Sequence, residues 1–332
     1  MKVKNTFAAL LCLAACAACT PQKKYVSCDG AMIGTTFHVC AELCGVPSSR
    51  VYAGMMHLDS AARASMSVFD EGSLLNRINR NETDVPDEHL LRNFAVADAV
   101  WAVSGGRYDI TVKPLAEAWG FAAREADAEP DTDSLLVFVG RDKWRMENGR
   151  IVKSDPRVQF DLNSIAKGYT VDLAAAMLDS LGSENYIVEI GGEVRCRGVN
   201  PSGESWRIGI DSPFEGNMSP GASMCGTVRL RDRSLATSGN YRRFHVDAGG
   251  RKRVHTIDPR TGCGAVSRLL SATVAAPSCM LADALATMFM AAGADDALSL
   301  ARAMRDTVQV FFVLAPEGDA DAEYEIFSTM EE

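Results

Sequence analysis

The 332-residue sequence lacks three features that mark large classes of proteins. No stretch concentrates lysine and arginine, and the net charge is −9, so a surface that neutralises nucleic-acid phosphates is excluded. After residue 19 no cysteines have C-x-x-C spacing and no histidine has zinc-ligand spacing, which argues against a zinc site. No G-x-G-x-x-G turn lies in a βαβ pattern, which argues against a Rossmann dinucleotide site.

Long apolar runs are also scarce. After residue 18 no uninterrupted apolar segment approaches the roughly 18 residues that a transmembrane helix needs. Before that point, Lys2 and Lys4 precede a short apolar run from Phe7 to Ala18, which is typical of an export signal. We therefore expect the body of the protein to lie outside the membrane, in the cell envelope.

A cysteine ends the segment Leu13-Ala14-Ala15-Cys16, which matches a lipoprotein processing site. Residues 1–15 are then expected to be a lipoprotein signal peptide, residues 16–29 an acylated cysteine with a tether, and residues 30–332 the folded domain. Cys16 is the preferred site of lipidation, because the residues before the alternative, Cys19, lack the usual aliphatic side chain. An ordinary secreted protein is the other alternative.

The remaining composition is that of a globular protein. Apolar residues make up 47% of the sequence, which is enough to bury a core in one large domain or two small ones. The cysteines after the signal leave disulfides open, because spacing does not determine connectivity. They are Cys28, Cys40, Cys44, Cys196, Cys225, Cys263 and Cys279.

Apolar periodicity predicts an α+β fold. Alternating or short apolar runs predict strands at residues 33–43, 186–190, 194–198, 206–210, 227–230, 243–246, 271–275 and 308–314. Helical spacing predicts helices at about residues 51–64, 87–103, 165–182 and 278–292. The short strands between residues 186 and 246 suggest an antiparallel sheet.

Two oxygen-bearing side chains stand out on the last predicted helix. Asp283 and Thr287 lie four residues apart and therefore face the same side of the helix. Hard oxygen ligands suit Mg²⁺. The alternative is that Asp283 only caps the helix or interacts with its dipole.

A second segment, Asp161 to Gly168, lies where a strand is predicted to lead into a helix. The positive end of a helix favours anions. Asp161 and Ser164 offer oxygens, and Lys167 offers a positive charge, so the segment could hold a metal or counter a phosphate. The alternative is an N-cap followed by a solvated lysine.

A third segment begins with a histidine and reads His255-Thr256-Ile257-Asp258-Pro259-Arg260-Thr261-Gly262. Imidazole accepts a proton near neutral pH, so His255 is a candidate general base that Asp258 could orient or replace. Arg260 could grip a phosphate, or it could be a turn residue satisfied by local carbonyls.

A fourth segment places two aromatic side chains around a glycine in Trp119-Gly120-Phe121. Such a segment can stack on a flat ring while leaving backbone amides open to it. A core anchor followed by a turn is the simpler interpretation.

In chain order, these segments resemble the motifs of the ApbE family of flavin transferases, from about residue 30 to residue 315. The matching segments are Ile33-Gly34-Thr35-Thr36, Ser67 to Asp70, Ser73 to Asn79, Gly106 to Pro114, Trp119-Gly120-Phe121, Asp161 to Gly168 with Asp172, Gly191-Gly192-Glu193, Thr237-Ser238-Gly239, His255 to Gly262 and Ala282 to Thr287.

The resemblance implies a T-fold-like α+β (α/β) architecture with two lobes around an FAD-binding cleft. It implies Mg²⁺-dependent transfer of FMN from FAD to a threonine or serine hydroxyl of an acceptor protein, with AMP leaving. The implied acceptor is a flavin-carrying subunit of an envelope electron-transfer complex, reached from the periplasmic side by a lipid-anchored enzyme.

The resemblance also implies a role for each matching position. The implied metal ligands are Ser164, Asp283, Ala286 through its carbonyl, and Thr287. The implied FAD contacts are Ile33, Phe69, Trp119, Gly120, Phe121, Asp161, Lys167 and Ile257. His255 is the implied base, with Asp258 in reserve.

Three positions depart from the family pattern. Ile33 stands where methionine is common, Thr256 replaces an aliphatic residue after the histidine, and Asn240 follows Ser-Gly where aspartate is usual. We expect the missing carboxylate at Asn240 to lower metal affinity or to shift the balance between transfer and hydrolysis.

Two other functions fit the same motifs. One is an FAD pyrophosphatase that gives FMN and AMP, with water as the acceptor. The other, from a different class, is a non-catalytic flavin-binding lipoprotein.

Overall fold

The computed structural model describes residues 24–121, 129–214, 217, 221–240, 244–246, 252–317 and 323–330. The predicted signal peptide, Cys16 and Cys19 lie outside these residues. Within them, no helix is long and apolar enough to cross a membrane. Each cysteine in the described part of the chain is a free thiol.

An antiparallel sheet organises the described chain, with helices packed against it. Its strands are β1 (Tyr25–Met32), β2 (Thr35–Glu42), β5 (Tyr186–Ile190), β6 (Glu193–Arg197), β9 (Ser234–Gly239), β12 (Leu269–Ala276), β13 (Gln309–Leu314) and β14 (Glu325–Ser328). They lie in the order β1-β2-β5-β6-β9-β12-β13-β14, and every neighbouring pair is antiparallel.

In the described ranges, three two-stranded ribbons accompany this sheet. They are β3 (Trp144–Glu147) with β4 (Arg150–Lys153), β7 (Trp206–Asp211) with β8 (Met224–Leu230), and β10 (Phe244–Val246) with β11 (Lys252–Val254). The helices are α1 (Ser48–Met66), α2 (Leu74–Asn79), α3 (Glu88–Ser104), α4 (Lys113–Ala118), α5 (Thr132–Leu136), α6 (Ala166–Ser180), α7 (Cys279–Ala292) and α8 (Ala294–Ala303), with a 3₁₀ turn at Arg141–Lys143. The predicted α+β class is confirmed.

The sheet opens in its middle. β6 and β9 pair at only two positions, Val194 with Leu235 and Arg195 with Ser234. Beyond them, Glu193 at the start of β6 separates from the last residues of β9. The sheet therefore has two halves with an opening between them.

Helices α6 and α7 cross closely beside this opening, and each binds the start of the other. A Cβ atom at Gly168 would lie 2.3 Å from the carbonyl oxygen of Cys279, so only glycine permits the approach. The Asp172 carboxylate accepts hydrogen bonds from the backbone N–H groups of Cys279 and Met280, each at 2.9 Å. In return, Asp283 Oδ2 accepts from the N–H of Gly168 at 3.0 Å. These bonds satisfy helix-end donors that would otherwise be buried without partners.

Strand β1, Tyr25–Met32, was not predicted from the sequence, and all of it pairs with β2. One predicted strand needs correction. The predicted strand at 33–43 starts later, at Thr35, because Ile33 and Gly34 form a two-residue hairpin turn with φ values of 42° and 79°.

A second correction concerns the chain before α6, which is not a strand. Asn79 holds it instead: its side chain accepts from the N–H of Phe160 at 2.7 Å and donates to the Phe160 carbonyl at 2.9 Å. Asp161 N–H also bonds the Ile110 carbonyl at 2.7 Å. The segment that carries Asp161 and Ser164 is thus positioned by buried side-chain contacts.

Candidate active site

A cleft of about 490 Å³ lies at the opening of the sheet. Residues of both halves of the sheet line it, together with α6, α7 and the β7 strand. The predicted site residues that line it are Ile33, Phe121, Asp161, Ser164, Lys167, His255, Ile257, Asp283 and Thr287. Residues distant in sequence are therefore brought together in one cleft.

The other predicted site residues within the described chain do not line the cleft. Ala286 is fully buried within α7. Phe69 lies in a turn held by Ser67 Oγ, and 67% of it is exposed. The Asp258 carboxylate accepts from the Arg260 guanidinium, with Nη2 to Oδ2 at 2.8 Å, so Arg260 is a turn residue paired within its own loop.

Trp119 and Gly120 have structural roles. The Trp119 indole N–H donates to the Gly262 carbonyl at 2.7 Å, and the ring is buried with Leu115 and Ile257. Gly120 turns the chain with a φ of 79°. This contact anchors the loop that begins at His255 to helix α4.

One side of the cleft, which we call the helix wall, consists of Ser164, Lys167, Asp283 and Thr287. Asp283 is 3% exposed, and burial raises the pKa of its carboxyl. Ser164 Oγ lies 2.9 Å from the Tyr108 hydroxyl. The helix wall thus presents one buried carboxylate and two hydroxyl oxygens.

Strand β9 contributes to the same region. Ser238 Oγ lies 3.2 Å from Thr287 Oγ1, so the end of β9 contacts the helix wall directly. Ser238 and Tyr108 line the cleft but were not predicted as site residues.

Glu193 is the most informative residue that the sequence prediction missed. It is 2% exposed, and its Oε1 lies 2.5 Å from Lys167 Nζ. Its Oε2 is buried with no hydrogen-bond partner. Burial, together with the charge of Asp283, raises the Glu193 pKa to about 7 against the opposing effect of Lys167. Its position directly after Gly191-Gly192 was the available signal.

Asp161 lies at the edge of the helix wall. Its Oδ1 accepts from the N–H of Asn163 at 2.7 Å, and burial raises its pKa. It is therefore a fixed acceptor at the cleft.

Ile33 enters the cleft from the β1–β2 turn. A φ of 42° is unusual for a β-branched residue. Its N–H donates to Asp59 Oδ1 at 2.6 Å, which holds the turn in place. Such strain persists only where the surroundings fix it, and it is common at ligand sites.

A second part of the cleft lining comes from the segment of residues 255–265, which we call the loop wall. His255 is half-buried, and its ring meets that of Phe121 edge-on with centroids 6.4 Å apart. The segment folds back on itself: Ile257 bridges to Gly264, and Asp258 N–H bonds the Cys263 carbonyl at 2.9 Å. A protonatable ring therefore shares the cleft with the oxygens and charges of the helix wall.

Proteins of known function resemble the chain over most of its length. An FAD:protein FMN transferase of Haemophilus influenzae is 33% identical over 314 residues, covering 90% of this chain and 89% of that protein. One of Vibrio cholerae is 33% identical over 313 residues, covering 91% of each.

Solved structures of flavin transferases also resemble the chain. The flavin transferase ApbE of Vibrio cholerae superposes with a TM-score of 0.77 at 30% identity, over 92% of this chain and 97% of that one. The apo flavinyl transferase ApbE of Pseudomonas stutzeri gives a TM-score of 0.80 at 28% identity, over 94% and 96%.

Fold, cleft and relatives define the class: the protein is an enzyme of the flavin transferase type. The ApbE family model matches residues 33–312, so the chain belongs to the ApbE family. The two-lobed ApbE architecture that the sequence motifs implied is confirmed.

Proposed function

We propose that this protein transfers FMN from FAD to a threonine or serine hydroxyl of an acceptor protein in a Mg²⁺-dependent reaction that releases AMP. The observation that carries the proposal is that His255 lines the same cleft as Asp283, Ser164, Thr287 and Lys167. The names of the relatives support it, since they state FAD and a protein acceptor.

The donor set of the helix wall fits Mg²⁺. In the described part of the chain no three His, Cys, Asp or Glu residues cluster in a way that would hold a metal ion by themselves. Mg²⁺ is usually bound by one or two carboxylates and completes its shell with water and substrate phosphates. Asp283 with Ser164 and Thr287 meets this description, and the unpartnered Oε2 of Glu193 offers a further buried carboxyl oxygen in the cleft. When bound, Mg²⁺ neutralises the charge that develops on the pyrophosphate.

The protein's own residues supply binding, orientation and a proton acceptor. Phe121, Ile257 and Ile33 offer apolar surface for the flavin, and Lys167 at the start of α6 offers a positive charge to the phosphates. His255 accepts the proton of the acceptor hydroxyl as its oxygen bonds to the FMN phosphorus. The phosphorus–oxygen bond to AMP breaks, and AMP leaves with the bonding electron pair.

The same cleft could use water as the acceptor, which would make the protein an FAD pyrophosphatase. A flavin carrier without chemistry is the alternative of another class. The presence of His255 in the same cleft as the buried Asp283 carboxyl favours chemistry over simple binding, because binding a flavin requires neither a base nor a metal.

We further propose that the enzyme acts at the periplasmic face of a membrane, anchored through acylated Cys16, on a flavin-carrying subunit of an envelope electron-transfer complex. The basic and apolar N-terminal segment and the Leu-Ala-Ala-Cys sequence support this location. Mass spectrometry of the protein extracted from membranes tests it, with a diacylglyceryl group expected on Cys16. A mature chain that begins at another residue without lipid would contradict it.

The reaction is tested by incubating the protein with FAD, Mg²⁺ and a purified acceptor subunit while following acceptor mass and AMP. A gain of one FMN moiety with matching AMP release is expected. AMP and free FMN without labelled acceptor would instead indicate a pyrophosphatase. Bound FAD with neither product would indicate a carrier.

A further inference from the structure

The side chains of Asn240 and Thr256 contact each other. The Thr256 hydroxyl donates to Asn240 Oδ1 at 2.9 Å. The Asn240 amide in turn donates to the Ala265 carbonyl at 3.3 Å, and Ala265 N–H donates to the Thr256 carbonyl at 2.8 Å. The three residues form a closed ring of hydrogen bonds, which we call the Asn240 clamp.

The Asn240 clamp joins the two walls of the cleft. Thr256 follows His255 directly and is only 5% exposed. Asn240 follows the end of β9, where Ser238 contacts Thr287 of the helix wall. Asn240 itself does not line the cleft. Its side chain therefore contacts the loop wall, which gives no support to the expectation of a direct effect on the metal.

We propose that Asn240 and Thr256 act as a positioning pair that holds His255 against the helix wall. The proposal rests on the proposed function, because it assigns the pair to the base of that reaction. The chemistry of the ring requires both residues: Asn240 must accept from a hydroxyl and donate to a carbonyl at once, which an amide can do and a carboxylate cannot. An aspartate would place an oxygen against the Ala265 carbonyl, and a valine at 256 would leave Oδ1 without its donor.

The test is a double-mutant cycle of Asn240→Asp, Thr256→Val and the double variant, with Thr256→Ser as the conservative replacement. Each single change is expected to lower kcat about 10-fold, and the double change by about the same factor, because residues that act as a unit are not additive. KM for FAD and the Mg²⁺ concentration for half-maximal rate should change by less than about 2-fold, and Thr256→Ser should keep most of kcat.

Thr329→Val is the matched control for losing a threonine hydroxyl. Thr329 Oγ1 accepts from Val310 N–H at 2.9 Å between β13 and the β14 edge, and it does not line the cleft. This variant should leave kcat unchanged.

A second readout does not depend on catalysis. Hydrogen exchange of the Ala265 amide should accelerate in Asn240→Asp and Thr256→Val but not in Thr256→Ser. If one variant fails to fold, the Thr256→Val and Thr256→Ser pair, or Asn240→Asp alone, still gives this comparison.

The outcomes separate the two proposals. An inactive wild-type protein whose Ala265 exchange still follows the expected pattern would overturn the proposed function and keep the clamp. An active wild-type protein with additive, small effects on kcat would overturn the positioning role. Tighter Mg²⁺ dependence with a raised kcat in Asn240→Asp would overturn it in favour of a direct metal effect.

Discussion

The two walls of the cleft are built in different ways. The helix wall rests on α6 and α7, which share buried hydrogen bonds through Asp172 and Asp283 and approach at Gly168. The loop wall is an irregular segment attached by the Trp119 indole and by Asn240. Its charged groups, Asp258 and Arg260, pair with each other outside the cleft.

The two walls therefore differ in whether the same groups serve both stability and catalysis. In the helix wall, structure and chemistry share the same atoms, because Asp283 both fixes the start of α6 and offers the metal a carboxylate. In the loop wall, the reacting ring and the groups that hold it are separate. Mutations should therefore affect stability and activity together in the first wall and separately in the second.

The largest expected effect is at Asp283. Asp283→Ala removes the carboxylate and leaves the buried Gly168 N–H without a partner, so flavin transfer should fall more than about 10³-fold and the protein should lose about 1–3 kcal/mol of stability. Asp283→Asn keeps an acceptor oxygen and should lose the activity while keeping most of the stability. Rate assays and thermal melts compare the two variants. An active Asp283→Asn protein would contradict the proposed role of Asp283 as a metal ligand.

His255→Ala should lower kcat by about 10²–10³-fold, because the acceptor hydroxyl loses its base. The melting temperature should stay close to that of the wild type, because the hydrogen bonds of Trp119, Thr256 and Asn240 that hold the loop wall remain in the variant. Rates measured under saturating FAD check this. A large loss of stability with a modest loss of rate would make His255 a structural residue.

Asp172→Ala should destabilise the protein by about 2–3 kcal/mol, because two N–H groups at the start of α7 lose their acceptor. Denaturant unfolding measures the free energy. The control Asp172→Asn keeps one acceptor oxygen and should lose less. An unchanged free energy of unfolding in Asp172→Ala would show that the helix crossing does not depend on this cap.

Glu193→Gln gives the smallest expected effect, which is a change in the free energy of unfolding. The sign of this change depends on pH and on Mg²⁺. The Glu193 pKa is raised from 4.5 to about 7, so the folded protein keeps a proton that the unfolded chain releases between those values. The free energy of unfolding therefore falls as pH rises through that window. Without Mg²⁺, Glu193→Gln should be more stable than the wild type near pH 8.5 and equal to it near pH 4.

Adding Mg²⁺ should reverse that order, because the variant lacks one of the buried negative charges near Lys167 and Asp283. Thermal melts across pH with and without the metal provide the measurement. Equal Mg²⁺ stabilisation of the two proteins would remove Glu193 from the metal environment.

Local patterns predicted the helix wall better than the loop wall. The four-residue spacing of Asp283 and Thr287 predicted that both face the same side of a helix, and both line the cleft, since helical periodicity fixes which side chains share a face. Glu193 was missed because its role depends on where β6 and β9 separate, which is a property of long-range pairing.

Dependence on contacts between distant parts of the chain also explains why the roles of Trp119, Asn240 and Thr256 were not predicted. The sequence marks Trp119 as either a ring for stacking or a core anchor, and only the contact with Gly262, far along the chain, decides between them. Asn240 and Thr256 each look like an isolated departure from the family pattern until the fold places them in one hydrogen-bonded ring.

The most direct test of the division between the walls is FAD affinity, measured by flavin fluorescence with and without Mg²⁺ in the wild type, His255→Ala and Asp283→Asn. We predict that His255→Ala binds FAD like the wild type, with the same gain in affinity on adding Mg²⁺, and that Asp283→Asn loses that gain. Loss of FAD binding in His255→Ala, with the Mg²⁺ effect intact in Asp283→Asn, would contradict the account.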